Sequence, residues 1–445
     1  MLKRFIFSIL VSVSTLTGFA QTPEGFESLF NGKDLTGWRG GDTYDNRKLL
    51  SLPQAERDAL INKWNAKLIE KNGDTPHWTV VNGELVNDGA GSYATTIKDY
   101  TDFELLIDWK MTQGTDSGVY LHGAPQVQMW DPSMPDQHNF GNAKGSGGLW
   151  NNALTSPGRD PLVRADKPLG EWNHFRIIMV GSRVTVWLND QLVVDHAILE
   201  NYYDRLLPKD KRLPIPPHGP IELQTHGGRT WWKNIYIREI KSDEACKILA
   251  SRGNAGYHSI FDGKTLDGWG GPLDVVNIKN NAMVWQLHKG GTIYWNHELK
   301  DFQSRVLFKL PPGGNNGLAI RYPGTGDTAY VGMCELQVLD DNYEKVKGKI
   351  DPRQAHGSAY GMVAAARGYQ HPIGEWNFQE STIIGSKITV ELNGNVILDT
   401  DLSKVDMANV LAHKQHPGKD RTAGFFGFAG HNDPVEFKDI YIKEL

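Results

Sequence analysis

Three short segments of the chain place carboxylate, imidazole, amide and aromatic side chains at alternating positions. They are residues 118–122, 126–131 and 219–228. Alternate side chains of an extended strand point to the same side of a sheet. Each segment therefore presents one polar and aromatic side, and mostly Val, Leu, Met and Ile on the other. The predicted polar set is Tyr120, His122, Gln126, Gln128, Trp130, Glu222, Gln224 and His226.

These residue types suit the recognition of a sugar. Hydroxyl groups need fixed hydrogen-bond donors and acceptors, and the CH face of a sugar ring stacks on aromatic rings. His226, Glu222 and His122 can also transfer protons, so they are the candidate catalytic residues. An alternative is that the polar side chains only satisfy one another on an exposed sheet. The candidate substrate-binding residues on the strands are Tyr120, Gln126, Gln128, Trp130 and Gln224.

A long segment, residues 131–152, follows the second of these strands and is rich in Gly, Asn, Pro and Asp. Long loops beside a rigid sheet often carry binding residues. Trp150 and Asn151 join the substrate-binding candidates, and Asn152, Asp131 and His138 are further candidates. The adjacent Trp231 and Trp232 would point to opposite faces of a strand, so at most one of them lines a groove.

The sequence assigns no metal ligands. It lacks the His and Cys spacings of zinc sites, although Asp side chains and loop carbonyl groups would suit a divalent cation such as Ca²⁺. No pattern indicates an organic cofactor. A two-carboxylate glycosidase needs two facing acids, and the predicted face offers only Glu222 and Asp131.

The chain contains two copies of one domain. Matching motifs occur in the same order at 28–38 and 259–269, at 170–173 and 374–377, and at 234–240 and 439–445. Repetition over about 200 residues indicates tandem domains rather than a short-period solenoid. We predict a first domain at 21–243 and a second at 258–445, with a linker near 241–257.

The second copy differs from the first on the predicted polar face. Gly427 and Ala429 stand where the first copy has Glu222 and Gln224. We therefore expect the first copy to be catalytic and the second to bind sugar or support the first. The alternatives are a groove between the copies, or an active second copy that uses Glu335 and His431. The groove residues of the second copy are Arg321, Glu335, Gln337 and His431.

Many short strand patterns separated by Gly, Pro, Asn and Asp predict an all-β fold of two jelly-roll sandwiches. The pairs Asn189-Asp190 and Asn393-Gly394 predict two-residue hairpin turns. The first copy also holds an insertion at about 51–72 in which apolar residues recur at helical spacing. Ser51 and Gln54 predict its capping box, and we expect one helix that serves packing.

Residues 1–20 combine Lys3 and Arg4, an apolar run and a small-residue cleavage site, which is typical of a secretory signal peptide. We predict a secreted protein, periplasmic in a Gram-negative cell, with no membrane span. The chain has 47 Lys and Arg against 52 Asp and Glu, without long runs, so nucleic acid is not an expected partner. Cys246 and Cys334 are either a disulfide or two separate apolar residues.

Several motifs together resemble the 3-keto-disaccharide hydrolase family, long listed as a domain of unknown function. The resemblance covers nearly all of each copy. It implies concanavalin A-like jelly rolls, an exported bacterial protein and action on oligosaccharides or glycosides already oxidised to a ketone at carbon 3. The motifs lie at 30–38, 117–121, 127–131, 147–150, 170–173 and 223–227.

A ketone at carbon 3 acidifies the hydrogen on carbon 2, so a base can remove it and the bond at carbon 1 can break by elimination. Water addition would complete a net hydrolysis. The resemblance therefore implies one general base, His226 or Glu222, and a group that holds the enolate oxygen. His122, Gln128 or a bound cation could supply that group. The second functional class is a carbohydrate-binding protein that uses the same groove without catalysis.

Overall fold

The computed structural model describes residues 21–134, 140–411 and 415–445. The predicted signal peptide, residues 1–20, and the candidate His138 lie outside these residues. Export therefore stays a prediction. Among the helices in the described part of the chain, none is both long and apolar enough to cross a membrane.

The first half of the chain forms two antiparallel sheets that face each other. A large sheet has the order β13-β12-β11-β8-β15-β6-β5 with β1 paired to β15, and a five-stranded sheet has the order β10-β9-β14-β7-β2. The strands are β1 (Glu27–Ser28), β2 (Trp38–Gly41), β3 (Lys71–Asn72), β4 (Thr75–Pro76), β5 (Trp78–Val81), β6 (Glu84–Asn87), β7 (Tyr93–Thr96), β8 (Phe103–Met111), β9 (Asp116–Leu121), β10 (Ala124–Trp130), β11 (Asn173–Val180), β12 (Arg183–Leu188), β13 (Gln191–Ile198), β14 (Glu222–Leu223) and β15 (Thr230–Glu239).

The second half repeats this architecture. Its sheets have the orders β18-β19-β28-β21-β24-β25-β26, with β16 paired to β28, and β17-β20-β27-β22-β23. The strands are β16 (His258–Ser259), β17 (Trp269–Gly270), β18 (Val276–Lys279), β19 (Ala282–Trp285), β20 (Gly290–Leu299), β21 (Phe302–Lys309), β22 (Asn315–Tyr322), β23 (Cys334–Leu339), β24 (Asn377–Ile384), β25 (Lys387–Leu392), β26 (Asn395–Asp401), β27 (Gly424–His431) and β28 (Glu436–Glu444).

Alternation of apolar and polar residues builds each sandwich. In β8, Phe103, Leu105, Ile107 and Trp109 are fully buried and face the core between the sheets, as the period of two requires. Each half has its own cluster of buried apolar residues. The prediction of two tandem jelly-roll sandwiches is confirmed.

The predicted hairpin turns are also present. Asn189 and Asp190 both have positive φ, 50° and 66°, between β12 and β13. Asn393 and Gly394 do the same between β25 and β26, with φ of 46° and 80°. Two successive residues in the left-handed region match the right-handed twist of the strands, which fixes the register of each hairpin.

The insertion in the first half contains two helices, not one. Helix α1 (Asn46–Ser51) and helix α2 (Gln54–Leu68) are followed by the small β3–β4 hairpin. The predicted capping box is wrong, because Ser51 ends α1 and Pro53 occupies the N-cap of α2. Pro53 breaks the helical pattern at this point since it lacks the backbone donor that a continuous helix requires.

Helix α3 (Ser242–Ser251) occupies the predicted linker and packs against both halves. Its Cys246 and Leu249 form a buried cluster with Val180 of the first half and Phe378 of the second. Cys246 and Cys334 are both free and buried, so the alternative of a disulfide is wrong. Two short helices of the second half complete the fold, α4 (Thr328–Val331) and α5 (Tyr343–Val346).

Candidate active site

A pocket of about 380 Å³ lies on the first half, on the face of the five-stranded sheet that points away from the core. We call this face the groove face. Strand β9 lies between β10 and β14 in this sheet, so the three predicted segments are neighbours. The pocket is lined by Thr43, Tyr93, Asp116, Tyr120, Pro125, Gln126, Gln128, Trp130, Phe140, Trp150, Asn151, Tyr202, Gln224 and His226.

Asp116 links two of the predicted site residues. Its Oδ2 lies 3.0 Å from Nδ1 of His226, and its Oδ1 accepts a hydrogen bond of 2.7 Å from Nε2 of Gln128. Asp116 is the first residue of β9 and shares the groove face with Tyr120 through the period of two. The carboxylate therefore orients the imidazole and is itself oriented by an amide from the neighbouring strand.

The side chain of His226 is 63% exposed, whereas that of Asp116 is 21% exposed. The hydrogen bond to Asp116 raises the pKa of His226, while burial lowers it to a smaller extent. Because Nδ1 is used in this contact, Nε2 is the ring nitrogen left to exchange a proton with a ligand. The pair has the geometry of a general base oriented by a carboxylate.

Two phenol groups meet beside this pair. Oγ1 of Thr43 lies 3.0 Å from the hydroxyl of Tyr93 and 2.9 Å from that of Tyr120. Nε2 of Gln224 donates to both phenol oxygens at 3.5 Å. Burial raises the pKa of Tyr120 far above neutral, so Tyr120 stays a hydroxyl donor throughout the working pH range.

Two amide oxygens on the groove face have no hydrogen-bond partner among the described residues, Oε1 of Gln126 and Oε1 of Gln224. Both side chains are more than nine-tenths buried and line the pocket. Nε2 of Gln126 donates to Oε1 of Gln128, whereas Oε1 of Gln126 accepts no hydrogen bond from the described residues. Gly118 permits this arrangement, because a Cβ there would lie 3.0 Å from Cδ of Gln126. A ligand rich in hydroxyl donors would satisfy both oxygens.

An aromatic wall closes one side of the pocket. Trp130 and Trp150 pack edge to face with ring centroids 5.7 Å apart, and Phe140 packs on Trp150 at 6.4 Å. Each indole N–H donates to a backbone carbonyl, that of Gly145 or of Phe140. The rings are therefore fixed in orientation, as stacking on a sugar requires.

Glu222 lies on the groove face but not in the pocket lining. It is 5% exposed, and the backbone packs closely around it: Cβ atoms built at Gly41 in β2 and at Gly123 between β9 and β10 would lie 3.6 and 3.8 Å from its Oε1. Burial raises the pKa of Glu222 to about 8, although Arg39 opposes the shift. Glu222 is thus mostly protonated at neutral pH, and its placement does not fit the predicted role of a base that contacts substrate.

His122 does not reach the pocket, so the prediction that it is a catalytic residue is wrong. The ring is 1% exposed and lies edge to face with the core residue Phe103, at 5.9 Å. Its nitrogens contact the carbonyl oxygens of Pro216, at 3.0 Å, and Thr101, at 2.7 Å. Strand β9 ends at Leu121, and the positive φ of His122, 54°, breaks the alternation that placed it with Tyr120.

Arg321, the counterpart of His122 in the second copy, is likewise not a groove residue. It has φ of 47° at an irregularity in the pairing of β22 with β27. The guanidinium group is buried, donates to the carbonyl oxygens of Lys300 and Gly385 at 2.8 Å each, and pairs with Asp301 at 2.8 Å. Both residues anchor the fold at the same corner of the two sandwiches.

Four other candidates from the sequence do not line the pocket, and two of them stabilise the loop beside it. Asp131 is fully buried and accepts from the backbone of Gly114 at 2.9 Å and of Ser133 at 2.8 Å. Asn152 donates to the carbonyl of Ile198. Trp232 is buried in the core and Trp231 lies near Lys110 on the large sheet, so neither lines the pocket.

The second copy retains part of this site. Nε2 of His431 lies 3.3 Å from Oε1 of Glu335, and Gln337 donates to Asn315, the counterpart of Asp116. However, Ala319 and Ala429 replace Tyr120 and Gln224. Helix α4 also packs on this face of the second copy. Oγ1 of its Thr328 lies 2.6 Å from Oγ1 of Thr292, the residue that pairs with Ala429.

Within the described residues, no three His, Cys, Asp or Glu side chains form a group that could hold a metal ion. A divalent cation such as Ca²⁺ stays the open alternative that the sequence analysis left.

Sequence reasoning missed Asp116, Thr43, Tyr93 and Tyr202. Asp116 could have been found by extending the alternation of β9 two residues back from Gly118. Thr43 and Tyr202 lie outside the strands, just before α1 and in a short 3-10 turn at Tyr202–Asp204. Only tertiary packing brings them to the sheet, and no local pattern marks them.

A family model described as a 3-keto-alpha-glucoside-1,2-lyase-like domain matches residues 25–238 and again 256–443. The chain belongs to this family. The two matched segments correspond to the two sandwiches, and the resemblance inferred from the motifs is confirmed.

Among proteins similar to this chain is the 3-keto-disaccharide hydrolase of Bacteroides thetaiotaomicron. It is 28% identical over 251 residues, which cover 47% of this chain and 86% of that protein. Two crystal structures of candidate glycosyl hydrolases from Parabacteroides distasonis are also similar. One is 26% identical, with a TM-score of 0.38, covering 42% of this chain and 99% of that one. The other is 23% identical, with a TM-score of 0.37, covering 43% and 94%.

Proposed function

We propose that the first copy cleaves glycosides that carry a ketone at carbon 3, by elimination across carbon 2 and carbon 1. The observation that carries the proposal is the Asp116–His226 pair, with its 3.0 Å contact at the edge of a pocket rich in amides and aromatic rings. Family membership and the printed name of the Bacteroides relative support the substrate class.

The chemistry starts at carbon 2. Nε2 of His226 takes the proton, and the electron pair of the C–H bond forms an enolate whose charge lies on the oxygen of carbon 3. When that carbonyl re-forms, a double bond forms between carbon 2 and carbon 1, and the bond from carbon 1 to the leaving oxygen breaks. The leaving oxygen takes a proton from water and departs as an alcohol. Water then adds across the double bond, its hydroxyl to carbon 1 and a hydrogen to carbon 2, which gives the free 3-keto sugar.

The enolate oxygen needs a neutral donor close to where its charge develops. Tyr120 fits, since burial keeps its hydroxyl protonated and its OH already takes part in the hydrogen-bond network of Thr43 and Gln224. Gln128 does not fit the predicted donor role, because its Nε2 donates to Asp116 and to the carbonyl of Ser117 at 3.1 Å. We assign Gln128 as a positioning residue for Asp116.

The hydroxyl groups of the sugar would donate to Oε1 of Gln126 and Oε1 of Gln224, which have no partner among the described residues. The sugar ring would stack on Trp130 or Trp150. We assign the second copy a supporting role, since it lacks counterparts of Tyr120 and Gln224.

Incubation of the purified protein with a 3-keto-disaccharide and with its unoxidised parent tests this proposal. We expect sugar release from the oxidised substrate only. A protein that binds both sugars and releases nothing would instead be the carbohydrate-binding protein that forms the alternative, and cleavage of the parent at an equal rate would reject the elimination route.

A further inference from the structure

A second cavity of about 720 Å³ lies between the two copies and adjoins the pocket of the first copy. Asn151 and Tyr202 line both spaces. A group attached to carbon 1 of a sugar in the pocket can therefore extend past these two residues into the second cavity, which we call the intercopy cleft.

The walls of the intercopy cleft are largely apolar. Leu213 of the first copy is 48% exposed, and Met362, Val363 and Val396 of the second copy line the opposite wall. An apolar wall gains little from another hydrated sugar unit, whereas an apolar or aromatic leaving group would bury surface against it.

The cleft also carries cationic groups that are not neutralised by its acidic residues. Of the acids in the lining, Glu200 accepts from the backbone of Ala153 at 2.9 Å, and Asp399 pairs with Lys209 at 2.7 Å. Arg205 and Arg212 instead make their described hydrogen bonds to backbone carbonyl groups, at 2.9 to 3.0 Å. A guanidinium group has five N–H donors, so both retain donors for an anion.

We propose that the intercopy cleft binds the leaving group of the glycoside, and that it favours an apolar leaving group that carries a carboxylate. This inference rests on the proposed function, because it assigns the sugar to the first-copy pocket. Arg205 also lies over the ring of Tyr202, 3.6 Å from its centroid, so a cation is held at the junction of the two spaces.

The test compares two 3-keto-glucosides, one of para-phenylphenol and one of the same phenol with a para-carboxylate on its outer ring. The readout is the ratio of kcat/KM for the anionic substrate to that for the neutral one. Ala364→Glu introduces a negative charge on the second-copy wall, and Ala364→Gln is the matched neutral control. We expect the ratio to fall at least about threefold in Ala364→Glu, but not in Ala364→Gln. Arg212→Gln should lower the ratio in the same direction.

An unchanged ratio in both Ala364→Glu and Arg212→Gln would overturn the inference. If neither glucoside is cleaved by the unaltered protein, the proposed function fails, and binding of the free carboxylated phenol is measured by calorimetry instead. Binding that weakens in Ala364→Glu and not in Ala364→Gln would still support the cleft. No binding, or equal weakening in the two variants, would reject it.

Discussion

His226 and Asp116 form a hydrogen-bonded pair in the first copy, with Nδ1 and Oδ2 3.0 Å apart. In the second copy, the equivalent imidazole of His431 turns to a carboxylate on a different strand, Glu335 of β23, at 3.3 Å. The two sandwiches thus keep a histidine at one position and change its partner. This difference permits a matched comparison of the two copies.

Replacing each histidine separately identifies the active copy. We expect His226→Gln to lower kcat/KM for a 3-keto-disaccharide by about 10²–10⁴-fold, because a positioned general base contributes about that much. His431→Gln is the matched control and should lower it less than about threefold. Equal losses in the two variants, or a loss only in His431→Gln, would contradict our assignment of the first copy.

Asp116→Asn should shift the pH dependence of the reaction. The bond to Asp116 raises the pKa of His226, and a base works only when it is unprotonated. Without the carboxylate the pKa falls, so the acid limb of the kcat/KM profile should move to lower pH while the maximum rate decreases. An acid limb that stays in place would show that His226 is not the group that titrates.

Tyr120→Phe removes the proposed donor to the enolate oxygen. We expect kcat to fall by about 10²-fold, in the range seen for single donors to a developing oxyanion, with a smaller change in KM. Unfolding in urea should show a modest loss of stability, about 1 kcal/mol, for the lost hydrogen bond to Thr43. A fall in stability without a fall in kcat would make Tyr120 a packing residue.

The period of two predicts most of the fold and half of the site. It identifies the sandwiches and the convergence of Gln126, Gln128, Gln224 and His226, because side chains in regular strands follow the alternation. It fails at His122 and Arg321, since each adopts a left-handed backbone conformation that turns its side chain away from the groove face. A single sequence gives no local indication of these corners.

The insertion and the residues beside it account for the site contacts that strand periodicity does not predict. Asn46 of α1 and Oε1 of Glu222 both lie within 4 Å of a Cβ built at Gly123, and Thr43, just before α1, joins the two tyrosines. These contacts depend on how a non-repeated segment folds back on the sheet, which strand periodicity does not describe. The prediction that the insertion serves packing alone is therefore incomplete, because Thr43 beside it lines the pocket.

Glu222 makes the stability of the first half dependent on pH. Its pKa in the folded protein is raised to about 8 from 4.5, so its contribution is fully present below about pH 4.5 and is lost as the pH rises through 8. The variant Glu222→Gln does not lose stability in this way, because a glutamine side chain does not ionise. We expect the variant to exceed the unaltered protein in free energy of unfolding by on the order of 5 kcal/mol at about pH 9. The difference should vanish below about pH 4.5.

Urea unfolding across this pH range measures the effect. The prediction is contradicted if the unaltered protein becomes more stable than Glu222→Gln as the pH rises. That result would mean that Glu222 is ionised and paired in the folded state.

The central claim is that His226 removes the proton on carbon 2 of a 3-keto-glycoside. It is tested most directly with a 3-keto-glucoside that carries deuterium at carbon 2. We predict a primary kinetic isotope effect on kcat/KM and transfer of the deuterium to solvent, both lost in His226→Gln along with the activity. Release of a sugar that keeps all of its deuterium, at the same rate as the unlabelled substrate, would contradict the account.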